Sequence, residues 1–517
     1  MSTAVANEKK TNERTVSWTD STGTTYQFYS NPLIKVCSFI LIQEMCERLA
    51  YYSIMPTLKP FLRKNYGFAD SSLNSFVMLF NGLSFLCALV SAIFADTFLG
   101  IYKTILVFSA VYMGGLVLVD IAAYPGMNQL WMVYVALFGL LAIGAGGIKS
   151  CVSVLGGQQY SPVDQKEQLT TFFTLFYASI NVGAMIGGFV VPLVIKETGD
   201  NYFIGYLIPT IAFAVATAVI ILGSKRYVLM KPQGSTVLQI FRVVGQGISE
   251  FSLDKCRQSR GGEFEDHFID DAKALFSLVP FFAMVIPFNI TYYQIFSGFE
   301  SQSEKMYSSL FGWKMPHEWM VNIDPISVIL GSLVVDKFVF PMLRRKNMMP
   351  SIMYRFVIGY TFGILANLCA MGVELVVMGS EPSSVSIWMQ VPQFAFVAFG
   401  EIFIFSTSYE VAFTKSPEPL KAVASAFNLV GFAIAGFTGT ALIQACKPWT
   451  EHGHYDYYFI LFACICAGFC LLSYVLNKHF ERVFAAAELH QKNSLNRAEM
   501  DATKLDESEP DLVVMRE

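Results

Sequence analysis

The chain has 517 residues, of which 54% are hydrophobic and only 15% charged, with a formal net charge of −4. Soluble domains carry about a quarter of their residues as Asp, Glu, Lys and Arg. The composition therefore excludes an ordinary water-soluble globule and a strongly basic nucleic-acid binder, so no nucleic-acid partner is expected.

Residues 1–30 are polar, have no apolar core and are expected to form a cytoplasmic tail rather than a cleaved signal peptide. Apolar runs follow that are long enough for helices to cross about 30 Å of hydrocarbon, which takes about 20 residues. They are expected at 33–58, 71–95, 101–124, 130–156, 170–195 and 202–223, then at 272–298, 319–342, 351–378, 384–413, 420–445 and 457–477. Lipid offers no partner to unpaired backbone groups, which favours helices, and the alternating pattern of a membrane β-barrel is missing. The spans divide six and six around the polar stretch Ser224 to Asp271. The expected class is an all-α polytopic membrane protein with 12 transmembrane helices in two six-helix bundles, the layout of the major facilitator fold. The expected organisation is a bundle at 31–223, a cytoplasmic linker at 224–271, a bundle at 272–477 and a cytoplasmic tail at 478–517.

In the linker, Val237, Ile240, Phe241, Val244, Ile248 and Phe251 share one helical stripe, as expected of an amphipathic helix on the membrane surface or against the bundle. Loops on the side of the termini hold the greater share of Lys and Arg, including Lys225, Arg226, Arg242, Arg344, Arg345 and Lys346, which predicts that both termini are cytoplasmic. The basic run "KPFLRKNYG" after the first span runs against that trend. The cysteines lie mostly in apolar runs, as packing residues rather than a disulfide framework.

Charges inside the spans carry the chemistry. In "EMCERLAYYS", Glu44, Glu47, Arg48 and Tyr51 fall on one helical face. Each charge at a span centre costs about 2.5–3.5 kcal/mol, so the stripe faces other helices or water, where the charges pair; a purely structural salt bridge is the alternative. Lys149 stands deep in "AIGAGGIKSCV", where a carboxylate from the first span is its expected partner and the small residues Gly144 to Gly147 admit a neighbouring helix closely. Glu410, in the second half, is expected to face these cations across a cavity. Glu401, nine residues earlier and on the opposite helical face, is expected to point elsewhere. A zwitterion would fit between, with its amine at Glu410 and its carboxylate at Lys149 and Arg48.

These motifs resemble those of the proton-dependent oligopeptide transporter family. "EMCERLAYYS" is similar to its first-helix motif E-x-x-E-R-F-x-Y-Y-G, with Leu49 in place of Phe and Ser53 in place of Gly. "ADTFLGIYKTI", "GAGGIKSCVSVLGGQQY", "FFTLFYASINVGAMIGG" and "SYEVAFTKSP" resemble further family segments in the same order. "YYQIFSGFESQ" and "NIDPISVILGSLVVDKFVFPMLRR" look like the fungal peptide-transporter branch. The resemblance implies a proton-coupled symporter importing di- and tripeptides by alternating access, an integral protein of the plasma membrane surrounded by lipids. Glu44, Glu47, Arg48 and Lys149 would couple protons. Tyr51, Tyr52, Lys149, Tyr177, Asn181, Asn289, Tyr293, Asp324, Glu410 and Asn428 would bind the peptide.

The chain departs from the family at several places. Met55 stands where a second arginine is common, Tyr293 where animal members carry aspartate, and Asp324 where many carry asparagine. Asn289 and Asn428 replace pocket aromatics, which implies a more polar wall. Two other readings are a different small solute, such as nitrate or a specialised metabolite, and a peptide-sensing transceptor. No cofactor or metal is expected, and no P-loop, metal-spaced His/Cys cluster or nucleophile motif suggests an enzyme.

Overall fold

Eleven helices among the described residues have the length and composition to cross a membrane. The computed structural model describes residues 14–507 except 20–23, 128, 162–163, 231–235, 251 and 418–419. A twelfth helix, α1 (Ser38–Tyr66), has the length but carries Glu44, Glu47, Arg48, Lys59, Arg63 and Lys64. It is followed by α2 (Asp70–Leu99), α3 (Ile101–Ala123), α4 (Leu130–Gly157), α5 (Lys166–Glu197) and α6 (Tyr202–Arg226). The linker helix is α7 (Thr236–Ser249). The second set is α8 (Asp266–Ser303), α9 (His317–Arg345), α10 (Ile352–Met378), α11 (Ile387–Thr414), α12 (Lys421–Ala445) and α13 (Tyr455–Val475). The tail helix α14 (Asn477–Glu507) ends the described chain.

In the first set α1 packs on α5 and α6, and α4 packs on α2 and α3. In the second, α10 packs on α11 and α13, and α9 on α11. The two sets meet along α2 and α12. That seam needs glycine: a Cβ on Gly436 would sit 2.5 Å from Gly82 Cα. Within the first set, a Cβ on Gly146 would sit 2.6 Å from the backbone nitrogen of Ala88, so the small residues of α4 let α2 approach.

An even number of crossings returns both chain ends to one end of the bundle, here the terminal end. The tails are tied there: His490 Nε2 lies 2.7 Å from Asp271 Oδ1, and the Gln165 amide donates to the Tyr29 carbonyl. At the opposite, far end the sets are joined directly. Trp319 Nε1 donates to the Phe189 carbonyl at 2.9 Å, and Lys196 donates to the Lys314 carbonyl.

Two sequence expectations change. The first span was expected to end at 58, leaving Lys59 to Lys64 in a loop; instead α1 runs through Pro56 and Pro60 to Tyr66 and stops at Gly67, whose φ is 67°. The cause is a set of partners on the second half. Fully buried Lys59 donates to the Ser297 carbonyl and the Ser301 hydroxyl, both at 2.8 Å, and lies 3.7 Å from Glu300. Arg63 pairs with Glu304 and Asp70. The basic run that disturbed the charge bias is thus partly an inter-half tie. In α7 the buried positions are Val237, Ile240, Val243 and Gly247, while Phe241 and Ile248 are exposed. The helix touches α12, packs Val243 and Gly247 against the segment that holds Leu253, Cys256 and Ile269, and shows Phe241 and Ile248 outward. Phe251 lies outside the described residues.

Candidate substrate cavity and charge cluster

The first-half charges form one closed cluster. The helical rise puts Glu44 and Arg48 one turn apart, with Arg48 Nε 3.1 Å from Glu44 Oε1, and Arg48 Nη2 contacts Glu47 Oε2. All three are buried. One guanidinium, a planar fork of donors, thereby serves two carboxylates. Tyr51, on the same face, donates to Asn81 Oδ1. Lys149 departs from expectation: no described carboxylate pairs with its ammonium, which lies over the rings of Tyr51 at 4.3 Å and Phe85 at 4.6 Å. Arg48 already occupies the glutamates, and the aromatic faces supply a weaker electrostatic substitute.

Phe85 also forms part of the wall of a cavity of about 880 Å³. Tyr177, Asn181 and Met185 of α5 line the same side. Tyr292 of α8, Val328 and Ser332 of α9, Glu401, Phe405 and Tyr409 of α11 and Phe432 of α12 line the other. The far end is shut by the ties of Lys59, Arg63 and Trp319, whereas Tyr177, Tyr409 and Glu410, toward the terminal end, are exposed. The cavity therefore opens toward the termini.

Glu401 is the carboxylate of this cavity, and Glu410 is not. Positions 401, 405 and 409 recur every fourth residue, so one face of α11 carries Glu401, Phe405 and Tyr409 into the cavity. Glu410 falls on the other side, near the helix end. Its Oε2 accepts from Arg355 Nη1 of α10 at 2.6 Å, and its side chain is 47% exposed. A carboxylate that near the edge reaches water and a neighbouring arginine, which leaves the deeper Glu401 for the site. Asp324, inside α9, is buried but outside the cavity lining, and Asp324 Oδ1 and Glu401 Oε2 are buried with no hydrogen-bond partner. Tyr52, Tyr177 and Tyr292 lie within electrostatic reach of both acids.

Of the other expected peptide-site residues, Tyr177 and Asn181 line the cavity. Tyr51 and Tyr52 pack edge to face behind it, with Tyr52 reaching Phe296 across the halves. Tyr293 is turned away, donating to the Phe432 carbonyl at 3.2 Å; its neighbour Tyr292 faces the cavity. Asn289 and Asn428 are buried outside the lining, both side-chain amides unpartnered. The wall expected to be polar is instead aromatic, because Tyr292 and Phe432 occupy the cavity-facing positions of α8 and α12. Tyr292, Phe405, Tyr409 and Phe432 escaped the sequence reading, although the four-residue spacing of 401, 405 and 409 was visible.

The family described as PTR2, POT family, matches residues 102–457. The chain belongs to the POT family. "Protein NRT1/ PTR FAMILY 8.1" of Arabidopsis thaliana is 26% identical over 88% of this chain and 95% of its own. "Probable peptide transporter ptr2" of Schizosaccharomyces pombe is 25% identical over 81% of this chain and 77% of its own. Among solved structures, the POT family transporter PepTSo superposes with a TM-score of 0.76 at 21% identity, covering 86% of this chain and 98% of that one. That likeness supports the major facilitator fold of this POT family member.

Proposed function

We propose that this POT family chain is a proton-coupled symporter of di- and tripeptides, working by alternating access between its two bundles. The observation that carries the reading is, among the described residues, a lysine without a paired carboxylate on one side of the cavity and acids without a paired cation on the other. Arg48 and Lys149 stand behind the first-half wall, with Phe85 between Lys149 and the lumen, and Glu401 and Asp324 belong to the second half. A peptide zwitterion fits this polarity, its amine toward Glu401 and its carboxylate toward Lys149, with the aromatic wall receiving side chains.

Glu44 and Glu47 are the groups we assign to proton coupling. A buried carboxylate is favoured as an anion by a nearby cation and disfavoured by loss of water. A substrate carboxylate that draws Arg48 or Lys149 toward the cavity weakens the first influence, and a proton then joins the cluster. A membrane voltage of 100 mV adds about 2.3 kcal/mol for each charge moved. The basic bias of the terminal end makes it the cytoplasmic side, so the described conformation is the inward-open one, in the plasma membrane.

A second reading keeps the fold and the coupling but changes the cargo to a small anion such as nitrate. Relatives whose names specify no peptide favour it; the carboxylates of Glu401 and Asp324 oppose it, since they repel an anion. Uptake of labelled dialanine in the presence of excess nitrate separates the two. Peptide uptake that nitrate leaves unchanged supports the first reading, and displacement by nitrate supports the second.

A further inference from the structure

The far-end closure contains a group of side chains that neither the cavity nor the proton cluster uses. Glu300, in the last turn of α8, Glu304, just past its end, and His317, at the start of α9, each bring one ligand-type atom within 4.8 Å of the others. Glu300 is 1% exposed, and both of its carboxylate oxygens lack a hydrogen-bond partner; Glu304 Oε1 and His317 Nε2 are also buried without one. The latter two atoms are 3.9 Å apart. On the far side of the ring, His317 Nδ1 lies 3.6 Å from Glu318 Oε2. A carboxylate there favours the proton on Nδ1 and turns the Nε2 lone pair toward the two glutamates. Among the described residues, Asp70 and Glu304 share Arg63, Glu300 has Lys59 at 3.7 Å, and Glu318 is paired with His317 alone. A cavity of about 460 Å³, lined by Glu304, His317 and Glu318 and also by Arg63, Lys64, Lys196 and Lys314, gives access.

We propose that Glu300, Glu304 and His317 form a binding site for a zinc-class divalent transition metal at the far end. One imidazole and two carboxylates suit zinc, whereas magnesium and calcium take oxygen ligands. Zinc bonds of about 2.0–2.2 Å put neighbouring ligand atoms roughly 3.4 Å apart around a tetrahedron, a spacing that side-chain rotation reaches from the one observed. The fourth position faces the access cavity and takes water. All three ligands belong to the second half, and two of them hold Lys59 and Arg63 of the first. A bound metal thus competes with the inter-half ties and acts on the far-end closure. Glu300 and Glu304 stand one helical turn apart, and the sequence hides the site because His317 comes from the next element.

The test is thermal unfolding of the purified full chain in detergent at neutral pH across a zinc chloride series. Wild type and the control His454→Gln should show the same saturable rise in Tm. His317→Gln should need about tenfold more zinc or above for half of the effect, and His317→Cys, which keeps a zinc ligand, should stay close to wild type. The His317 side chain is 25% exposed, so both variants are expected to fold. No rise in wild type, an unchanged curve in His317→Gln, or an equal rise with magnesium chloride would overturn the proposal.

Discussion

The two sides of the cavity meet the problem of charge in a membrane in opposite ways. On the first-half side, Glu44 and Glu47 share Arg48 within little more than one helical turn, and Lys149 rests on aromatic faces. On the second-half side, Asp324 and Glu401 each keep a buried oxygen with no hydrogen-bond partner, among tyrosines. A buried charge with its counter-ion is compensated even while the cavity is empty. One without a counter-ion is costly until a cation arrives. The contrast separates a resident proton-handling cluster from a receptor for a cationic group of the cargo.

The strongest way to break this contrast is Arg48→Ala. It strands two carboxylates in the bundle and should cost about 3–5 kcal/mol, lowering Tm and abolishing pH-driven accumulation; an unchanged Tm would mean that the cluster is not held by Arg48. Next is Glu401→Gln. A hydrogen bond to a charged group is worth about 1.5–3 kcal/mol, so peptides with a free amino terminus should lose about ten- to a hundredfold in apparent affinity while N-acylated ones change little. Glu410→Gln breaks only a partly exposed pair, worth at most about 1 kcal/mol, and should leave that selectivity intact. A competition series with both peptide types reads the two variants side by side.

Lys149→Ala should separate stability from coupling. The ring contacts are worth about 0.5–2 kcal/mol, so Tm should fall less than for Arg48→Ala, while uphill accumulation is lost. The smallest effect concerns the wall. Phe432→Ala should weaken bulky apolar peptides by about tenfold, equivalent to about 1.4 kcal/mol. Asn428→Phe, one turn away but outside the lining, should not strengthen them; a clear gain there would place Asn428 in the cavity.

Much of this architecture was legible. Twelve spans, six on either side of a polar linker, follow from hydrophobic runs, and the first-helix stripe follows from helical periodicity, because insertion cost forces charges in a span to pair. What escaped depended on partners distant in sequence. Lys59 and Arg63 looked like loop residues because the partners that tie them to the second half, Ser297, Ser301 and Glu304, lie at and just past the end of α8, more than two hundred residues away. Lys149 looked like a partner of the glutamates because nothing in the sequence announced the rings of Tyr51 and Phe85 around it. Glu410 was preferred to Glu401 as the second-half carboxylate opposite the first-half cations, and the motif resemblance pointed the same way. Depth in the span and the recurrence of Phe405 and Tyr409 would have favoured Glu401, since a carboxylate near a helix end is readily paired at the edge, as Arg355 does here. Asn289 and Asn428 were read as wall residues from a shared position, whereas the helix rotation presents Tyr292 and Phe432 instead.

The most direct measurement is dialanine uptake by proteoliposomes under an imposed pH gradient, with wild type beside Glu401→Gln. Wild type should accumulate the peptide above its bath concentration and lose that accumulation with a protonophore, and Glu401→Gln should fail at the same peptide concentration. Equilibration without accumulation in wild type, or full accumulation in Glu401→Gln, would contradict the account of a proton cluster in one half acting on a zwitterion held by a carboxylate of the other.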